Sequence, residues 1–204
     1  HHLKAIGVSG DGDTASIGFG QFKHLLRRNV RMVYIVENNG VYGLTKGQFS
    51  ASADPGSTAK KGEINLMQNI NVVATAISMG ASFVARAFAG DIDYLAPLIQ
   101  RGIRHQGFAL IDILQPCVSF NRVNTFQWYK SRVYRIEQEE GYDASDRTSA
   151  FQKAQEWGER IPLGVLYRSA RPTREEQEPV IRTCSLVRQP IEPSSFPKLL
   201  DAFE

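Results

Sequence analysis

Two polar motifs, Gly10-Asp11-Gly12-Asp13 and Asn38-Asn39, carry the side chains best suited to chemistry. The segment between them is about long enough for one helix and one strand, so both motifs are expected at the ends of neighbouring strands. Asp11 then supplies a carboxylate and Asn39 an amide oxygen, which are the hard ligands that Mg²⁺ shares with phosphates and water. The spacing therefore predicts a site for a divalent cation bound to a diphosphate.

The glycines of the first motif fit the same interpretation. Gly10 and Gly12 allow the backbone to approach a phosphate closely. The helix expected from about Asp13 onward directs free N–H groups and the positive end of its dipole at an anion. A Gly-Asp-Gly sequence alone is also typical of a strand-to-helix turn in which Asp11 caps the helix. The asparagine pair after a buried strand favours the cation site.

The elements around these motifs alternate between strands and helices. Residues 4–9 and the apolar run 30–36 are predicted as buried strands, with a helix at 14–28 between them. Ligands of open α/β sheets bind at the carboxyl ends of the strands, where both motifs fall. Downstream, the pattern predicts strands at 82–87 and 108–114 and helices at 71–80 and 91–105. This alternation favours an α/β fold with a doubly wound parallel sheet.

The segment after Pro116 has a different character. Mixed-charge helices are expected at 124–140 and 147–160, followed by an edge strand at 163–167. Five of the nine prolines lie beyond Arg171, which predicts a poorly packed arm. In chain order, the expected parts are an α/β core at 1–122, a helical extension packed on it at 123–170 and a Pro-rich C-terminal arm at 171–204.

Composition excludes several classes of function. A chain of 204 residues with 42% hydrophobic and 22% charged residues is sufficient for one sizeable core. Its net charge of +3 is too small to indicate nucleic-acid binding, and no apolar run is long enough for a membrane-spanning helix. With two cysteines and no recognisable signal peptide, we expect reduced thiols and a cytoplasmic protein. His24 and His105 fall on predicted helices and are expected to be surface or packing residues.

Three segments together resemble the β subunit of a 2-oxoacid:ferredoxin oxidoreductase, a thiamine diphosphate-binding family. They are residues 10–48, 112–121 and 128–134, and the similarity extends over about residues 4–172 in family order. The resemblance implies an α/β sheet of the thiamine diphosphate-binding type. It also implies CoA-dependent oxidative decarboxylation of a 2-oxoacid with electrons passed to ferredoxin, and thiamine diphosphate and Mg²⁺ as cofactors.

The same resemblance implies roles for individual residues. Asp11, the side chain of Asn39 and the backbone carbonyl of Val41 are the implied Mg²⁺ ligands, with Asp13 as a further contact near the cofactor. The loop after Asn39 is implied to wrap the diphosphate and the thiazolium. Its candidate cofactor-binding residues are Gly43, Leu44, Thr45, Lys46 and Gln48, which join Gly10 and Gly12 of the first motif.

Lys46 bears on the choice of substrate. Pyruvate-specific members of the family often carry glycine at this position, whereas lysine is more typical of the 2-oxoglutarate and broad-specificity members. The resemblance therefore favours 2-oxoglutarate, with Lys46 beside the diphosphate or a substrate carboxylate; an ordinary exposed loop lysine is the alternative. Gly43 and Gly47 allow unusual backbone angles. The Gly- and Ser-rich stretch 37–63 is long for a structureless connection, which indicates a functional loop.

Cys117 matches the fourth cysteine ligand of a [4Fe–4S] cluster in the family, although a buried structural cysteine is the simpler interpretation of the sequence alone. Such a cluster needs four thiolates, and the other cysteine of the chain, Cys184, lies downstream. We expect the remaining ligands on a preceding segment of a longer chain, of which this is a truncated fragment, or on a separate chain. The glutamate that activates thiamine diphosphate is likewise expected on an α subunit, so the site should lie at a subunit interface.

Two other functions stay open at this point. One is the diphosphate-binding domain of a non-redox thiamine diphosphate decarboxylase or carboligase, a class that requires neither the Gln-Pro-Cys segment nor the Leu-Thr-Lys-Gly-Gln loop. The other is a degenerate domain that only scaffolds a partner subunit, and the intact cation motif argues against it. The expected partners are the α subunit, ferredoxin, CoA and the 2-oxoacid.

Overall fold

A six-stranded sheet and a separate two-stranded hairpin form the framework of the protein. The computed structural model describes residues 3–59, 62–190 and 193–201. The strands are β1 (Ala5–Gly10), β2 (Met32–Asn38), β3 (Val41–Tyr42), β4 (Gln48–Phe49), β5 (Phe83–Phe88), β6 (Ala109–Leu114), β7 (Val133–Arg135) and β8 (Ile161–Arg168). The large sheet has the order β1-β2-β6-β5-β8-β7, and β3 pairs with β4.

Four neighbouring strands, β1, β2, β6 and β5, run parallel. Every residue of β5 and β6 is buried, which is typical of parallel strands that are covered on both faces. The carboxyl ends of all four strands meet at one edge of the sheet. Gly10, the last residue of β1, and Asn38, the last residue of β2, therefore deliver both sequence motifs to the same edge.

The described helices are α1 (Phe19–Arg28), α2 (Val72–Ser78), α3 (Ile92–Arg104), α4 (Phe126–Lys130), α5 (Arg147–Ala154), α6 (Arg174–Gln177), α7 (Pro179–Arg182) and α8 (Phe196–Leu200). Of these, α1, α2, α3 and α5 cover the two faces of the sheet. Buried side chains of α1, α2 and α5 share one apolar cluster, whereas Leu95 and Leu98 of α3 belong to a second. The predicted α/β fold with a doubly wound, mostly parallel sheet is confirmed.

The first predicted helix is interrupted. Residues 13–17 (Asp13–Ile17) form a π-helical turn, and the α-helix begins only at Phe19. The backbone changes direction at Gly18, where an added Cβ would lie 2.7 Å from the carbonyl oxygen of Asp13. Wide turns of this kind occur often at functional sites. Here the turn directly follows the Gly-Asp-Gly motif.

Two helix predictions in the later part of the chain were too long. The helix expected at 124–140 covers only α4, and strand β7 with a short 3₁₀ turn occupies the rest. The charged side chains after Arg135 favour a helix locally, but Val133 and Tyr134 gain more by pairing with the buried strand β8. The helix expected at 147–160 ends at Ala154, ahead of a turn in which Gly158 has a φ of +79°.

The predicted edge strand at 163–167 is an interior strand. It is part of β8, which lies between β5 and β7 and runs antiparallel to β5. All of its residues except Arg168 are buried. Because the preceding segment was assigned to a helix, the sequence offered no further strand to cover this one. The outermost strand on this side is β7.

The amino ends of the parallel strands are joined by a polar cluster, here called the amino-end network (Asn29, Ser82 and His105). The Oδ1 atom of Asn29 accepts hydrogen bonds from Ser82 Oγ at 2.6 Å and from the backbone N–H of Phe108 at 2.9 Å. Its amide nitrogen donates to the carbonyl oxygens of Arg171 and Pro172, each at 3.1 Å. Asn29 has a φ of +51° and is fully buried. One side chain therefore joins three segments of the chain.

His105 lies at the edge of the amino-end network, with Nε2 2.8 Å from Ser82 Oγ and its ring 5.3 Å from that of Phe83. Burial lowers its pKa to about 4, and the positive charges of Lys4 and Arg168 act in the same direction. The imidazole is therefore neutral at pH 7. His24 is exposed on α1. Neither histidine contacts the motifs at the carboxyl edge, in keeping with the packing and surface roles expected for them.

The chain divides into two compact units, residues 1–174 and 175–204. The domain limits expected from the sequence, at residues 122 and 170, stay predictions. No helix among the described residues is long and apolar enough to cross a membrane. His1 and His2 lie outside the described residues.

Candidate site at the carboxyl edge of the sheet

Asp11 follows directly on β1, and its side chain is buried, with 1% of the residue exposed. Its Oδ1 atom accepts one hydrogen bond, from the backbone N–H of Asn39 at 3.3 Å. Its Oδ2 atom accepts three, from the backbone N–H of Gly40 at 3.2 Å and from the hydroxyls of Ser50 and Ser52. The two motifs of the sequence are thus in direct contact, as their spacing predicted.

The two oxygens of Asp11 differ in what they can still accept. Three donors occupy Oδ2, whereas Oδ1 has a single long hydrogen bond and lone-pair capacity to spare. Among the described residues, no lysine, arginine or histidine forms an ion pair with Asp11. A buried carboxylate without a counter-charge is costly unless a cation joins it. The donor set therefore fits a divalent cation at Oδ1.

Asn39 is half-buried and shapes the turn after β2. Its Oδ1 atom accepts the backbone N–H of Val41 at 3.0 Å, which closes an Asx turn. The side-chain amide of Asn121 donates to the backbone carbonyl of Asn39 at 3.1 Å, so the segment after Cys117 supports this turn. Two hydrogen bonds therefore connect the three implied Mg²⁺ ligands, since Asn39 N–H donates to Asp11 and Val41 N–H donates to the side chain of Asn39. Their metal-binding role stays a prediction.

The hairpin β3–β4 presents the predicted cofactor loop. Gly43, Leu44, Thr45, Lys46 and Gln48 are all exposed, and Leu44 is 98% exposed. Tyr42 connects this hairpin to the first motif, because its hydroxyl donates to the carbonyl oxygen of Gly12 at 3.0 Å. A Cβ on Gly12 would lie 2.4 Å from the Tyr42 ring, so this contact requires glycine. Asp13, the last residue of the motif, is exposed.

Backbone strain in the loop falls on Lys46 rather than on Gly43. Lys46 has a φ of +65° and Gly47 a φ of +98°, while Gly43 is not among the residues with positive φ. Gly47 therefore uses the backbone freedom that glycine allows, and Gly43 does not. A left-handed conformation costs a residue with a Cβ about 1–2 kcal/mol, and glycine escapes this cost. Lysine thus occupies a position that favours glycine.

The sequence analysis assigned no role to Ser52, Asp112 and Arg86, which lie behind Asp11. Together with Asp11 and Asn38 they are here called the carboxyl-end network (Asp11, Ser52, Asn38, Asp112 and Arg86). Ser52 Oγ lies 3.0 Å from Oδ1 of Asn38, whose amide nitrogen donates to Asp112 Oδ1 at 3.0 Å. The Nε atom of Arg86 lies 3.4 Å from Asp112 Oδ2. One signal was available in the sequence, because each of the buried strands β5 and β6 carries a single charged residue. The structure makes these two residues cross-strand partners.

Burial dominates the electrostatics of Arg86 and Asp112. It raises the pKa of the Asp112 carboxyl, an effect that the neighbouring guanidinium opposes. Burial likewise lowers the pKa of Arg86, and the charge of Asp112 opposes that shift. Each group therefore favours the charged form of the other. The negative charge of Asp11 further disfavours ionised Asp112, so the two carboxylates are coupled.

Cys117 is half-buried and lies shortly after the carboxyl end of β6. Cys184 belongs to the 175–204 unit. The described residues contain no group of three or more His, Cys, Asp or Glu side chains that could hold a metal ion. The Asp11 site offers one carboxylate and one amide, so it does not form such a group. Mg²⁺ at this site would take its remaining ligands from the diphosphate and from water. A cluster-binding role for Cys117 stays a prediction.

Comparison with known proteins agrees with this geometry. The family described as "Thiamine pyrophosphate enzyme, C-terminal TPP binding domain" matches residues 2–113, which contain both motifs. The family described as the C-terminal part of the "Pyruvate ferredoxin oxidoreductase beta subunit" matches residues 117–183. The chain belongs to the family of thiamine pyrophosphate enzymes, and within it to the β subunits of 2-oxoacid:ferredoxin oxidoreductases.

Individual relatives are named as 2-oxoacid or 2-oxoglutarate oxidoreductases. The β subunit of the 2-oxoacid:ferredoxin oxidoreductase of Saccharolobus solfataricus is 40% identical over 92% of this chain and 65% of its own length. The 2-oxoglutarate oxidoreductase subunit KorB of Mycobacterium tuberculosis is 39% identical over 56% of this chain and 31% of its own. A solved 2-oxoglutarate:ferredoxin oxidoreductase from Magnetococcus marinus, with 2-oxoglutarate, coenzyme A and succinyl-CoA bound, superposes with a TM-score of 0.83 at 34% identity. That match covers 95% of this chain and 65% of the solved chain. The chain thus spans slightly less than two thirds of the Saccharolobus solfataricus and Magnetococcus marinus chains, and about a third of the Mycobacterium tuberculosis one.

Proposed function

We propose that this chain holds the thiamine diphosphate and Mg²⁺ of a 2-oxoacid:ferredoxin oxidoreductase that acts on 2-oxoglutarate. The observation that carries the proposal is the buried Asp11 carboxylate, whose Oδ1 atom is open and lacks a counter-charge among the described residues. A protein that placed Asp11 only as a helix cap would not need to bury it behind two serine hydroxyls and leave one oxygen under-used.

The chain's own residues would bind and orient the cofactor. Asp11 Oδ1, the amide oxygen of Asn39 and the carbonyl of Val41 would hold Mg²⁺, while the backbone at Gly10 and Gly12 approaches the diphosphate. When bound, thiamine diphosphate would supply the nucleophilic carbanion and the electron sink that decarboxylation of a 2-oxoacid requires. Asp13 and the exposed loop residues Gly43, Leu44, Thr45, Lys46 and Gln48 would enclose the cofactor and the substrate.

Lys46 supports 2-oxoglutarate as the substrate. Its side chain is exposed on the loop beside the site, and its backbone carries a conformational cost that glycine would avoid. A positive charge at this position fits a substrate with a second carboxylate, which pyruvate lacks. Several relatives named for 2-oxoglutarate, from Mycobacterium tuberculosis and Archaeoglobus fulgidus, support the same substrate.

The remaining parts of the reaction would come from other polypeptide. We propose that an α subunit supplies the glutamate that activates the cofactor, and that Cys117 is one of four thiolate ligands of a [4Fe–4S] cluster. The cluster would pass electrons to ferredoxin, and coenzyme A would accept the acyl group. The coenzyme A bound to the Magnetococcus marinus enzyme supports this last step.

The test is a reconstitution of the enzyme from its complete β chain and its α subunit. With thiamine diphosphate and Mg²⁺ present, we expect ferredoxin reduction that requires both 2-oxoglutarate and coenzyme A, and that stops when EDTA removes the metal. Aldehyde release from the 2-oxoacid without ferredoxin reduction, and no iron–sulfur absorbance in the complex, would contradict the redox assignment. That result would support the non-redox decarboxylase instead.

A further inference from the structure

We propose that the buried pair Arg86 and Asp112 is a positioning unit for the cofactor's cation, acting on Asp11 through Asn38 and Ser52. The inference rests on the proposed function and deepens it, because it assigns two residues far from the sequence motifs to the same site. Neither residue touches the cofactor-binding loop. Both act through the carboxyl-end network, and each link in that network is a single contact.

The first link fixes the orientation of the Asn38 amide. Asp112 Oδ1 lies 3.0 Å from the amide nitrogen of Asn38, and an ionised carboxylate only accepts hydrogen bonds. The NH₂ group of Asn38 must therefore point at Asp112, and its oxygen must point away from it, toward Ser52 at 3.0 Å. Arg86 lies against the other carboxylate oxygen, with its Nε atom 3.4 Å from Asp112 Oδ2.

The second link sets the position of the Ser52 hydroxyl. Its oxygen lies within hydrogen-bond distance of two acceptors, Asn38 Oδ1 and Asp11 Oδ2. A hydroxyl has one proton, so Asn38 Oδ1 and Asp11 Oδ2 compete for it. If Asn38 were released, its NH₂ group could rotate toward Ser52 and donate to the hydroxyl oxygen, which would leave the Ser52 proton to Asp11 Oδ2 alone. The stronger hydrogen bond at Oδ2 would draw negative charge away from Oδ1.

The consequence concerns Asp11 Oδ1, the oxygen that would face the cation. While Ser50, Ser52 and Gly40 occupy Oδ2, the carboxylate cannot rotate, and Oδ1 stays in the open position. Residues that orient a metal ligand from behind typically change metal affinity by about 10–100-fold when they are replaced. The Arg86–Asp112 pair occupies that position for Asp11.

The pair has little value as a stabilising interaction alone. Both side chains are 2% exposed, the Nε–Oδ2 distance is 3.4 Å, and no described residue bonds the Nη1 atom of Arg86. The guanidinium borders a cavity of about 280 Å³ that is also lined by Asn38, Ser52 and Asp112. Buried ion pairs of this kind can often be replaced by apolar residues of similar volume without loss of stability. Holding Asn38 gives the charges a function that an apolar pair could not perform.

The test replaces both charges at once in the complete enzyme and measures Mg²⁺ affinity in the presence of thiamine diphosphate. For the double variant Arg86→Met/Asp112→Leu we expect unfolding close to the wild-type temperature and a Mg²⁺ dissociation constant raised about 10–100-fold. Turnover at saturating Mg²⁺ should recover most of its wild-type value. Mg²⁺ affinity within twofold of wild type would overturn the proposal.

Two further variants keep the outcome interpretable. Asp112→Asn serves if the double variant does not fold, because a donor placed against Asn38 or Arg86 should disturb the same link and weaken Mg²⁺ binding. Ser82→Ala in the amino-end network is the stability control: it should lower the unfolding temperature and leave Mg²⁺ affinity unchanged. If Asp11→Asn abolishes Mg²⁺ binding while the double variant leaves it intact, only the positioning role fails. If neither variant affects Mg²⁺ binding, the proposed function fails.

Discussion

The amino-end and carboxyl-end networks lie at opposite ends of the same parallel strands. The first consists of uncharged groups, whereas the second contains charged ones. The amino-end network consists of Asn29, Ser82 and a neutral His105, and Asn29 uses both atoms of its amide group. The carboxyl-end network contains two carboxylates and one guanidinium. One oxygen of Asp11 is nearly free, and Arg86 Nη1 has no hydrogen-bond partner among the described residues.

The two networks therefore contribute to different properties: the amino-end network to stability and the carboxyl-end network to binding. A closed, uncharged network uses its hydrogen bonds to join chain segments, which is the role of the amino end. A network with unused acceptor and donor capacity is costly in the folded state and fits a ligand that completes it. The local strain of Lys46 falls at the same end. We therefore expect substitutions at the amino end to change stability alone, and substitutions at the carboxyl end to change binding.

The largest effect on stability is expected from Asn29→Ala. It removes the acceptor for Ser82 Oγ and the Phe108 N–H, and the donor to two carbonyl groups, all at a fully buried position with a left-handed backbone. Buried groups left without partners cost about 1–3 kcal/mol each, so we expect a total loss of about 3 kcal/mol or more. Chemical denaturation measures it. A cofactor affinity that falls together with stability would break the separation of the two ends.

A smaller effect follows from the titration of His105. Its pKa is about 4 in the folded state, against an ordinary value of 6.5 for an exposed histidine, so the unfolded chain binds more protons between these values. The stabilising contribution is fully present above about pH 6.5 and is lost as the pH falls toward 4. Because the ring is only half-buried, we discount the shift to about 1–2 kcal/mol. Denaturation curves of His105→Gln should lack this slope. The variant of the exposed His24, His24→Gln, should keep it.

The smallest stability change, of opposite sign, is expected from Lys46→Gly. Removing the Cβ from a left-handed residue should raise the free energy of unfolding by up to about 1 kcal/mol. We expect the same variant to lose its preference for 2-oxoglutarate over pyruvate, measured as the ratio of kcat/KM for the two acids. Lys130→Gly near the C-terminus of α4 is the control, because glycine there should destabilise the chain and leave the ratio alone. An unchanged substrate ratio in Lys46→Gly would leave the lysine without a function.

The part of the site that the sequence predicts is the part that is local to a motif. Asp11 and Asn39 could be placed together because each follows a recognisable buried strand, and parallel strands end at a common edge. Ser50 and Ser52 could not, because they return to Asp11 only through the β3–β4 hairpin, whose strands are two residues long. The pairing of Arg86 with Asp112 depends on the register between β5 and β6, which periodicity alone does not specify.

The same distinction between local and non-local features applies to the fold. The long apolar strands and amphipathic helices of the α/β core follow from periodicity. Strand β7 was missed because it has three residues and is followed by a charged segment that favours a helix. Its pairing partner, β8, comes later in the chain, so the strand exists only through a non-local contact. The interruption at Gly18 was missed for a different reason, since a π-helical turn has no distinct sequence pattern.

The most direct test of the cation site is Mg²⁺-dependent binding of thiamine diphosphate by Asp11→Asn in the complete enzyme. We expect the new amide to turn its oxygen toward the three donors at Oδ2 and to place its NH₂ group where the cation belongs. Calorimetry should then show affinity reduced by more than the roughly 10–100-fold typical of supporting residues, with the fold retained. The matched variant of exposed Asp93, Asp93→Asn, should bind like wild type. Wild-type cofactor affinity in a folded Asp11→Asn enzyme would contradict the assignment of this carboxylate to the cation.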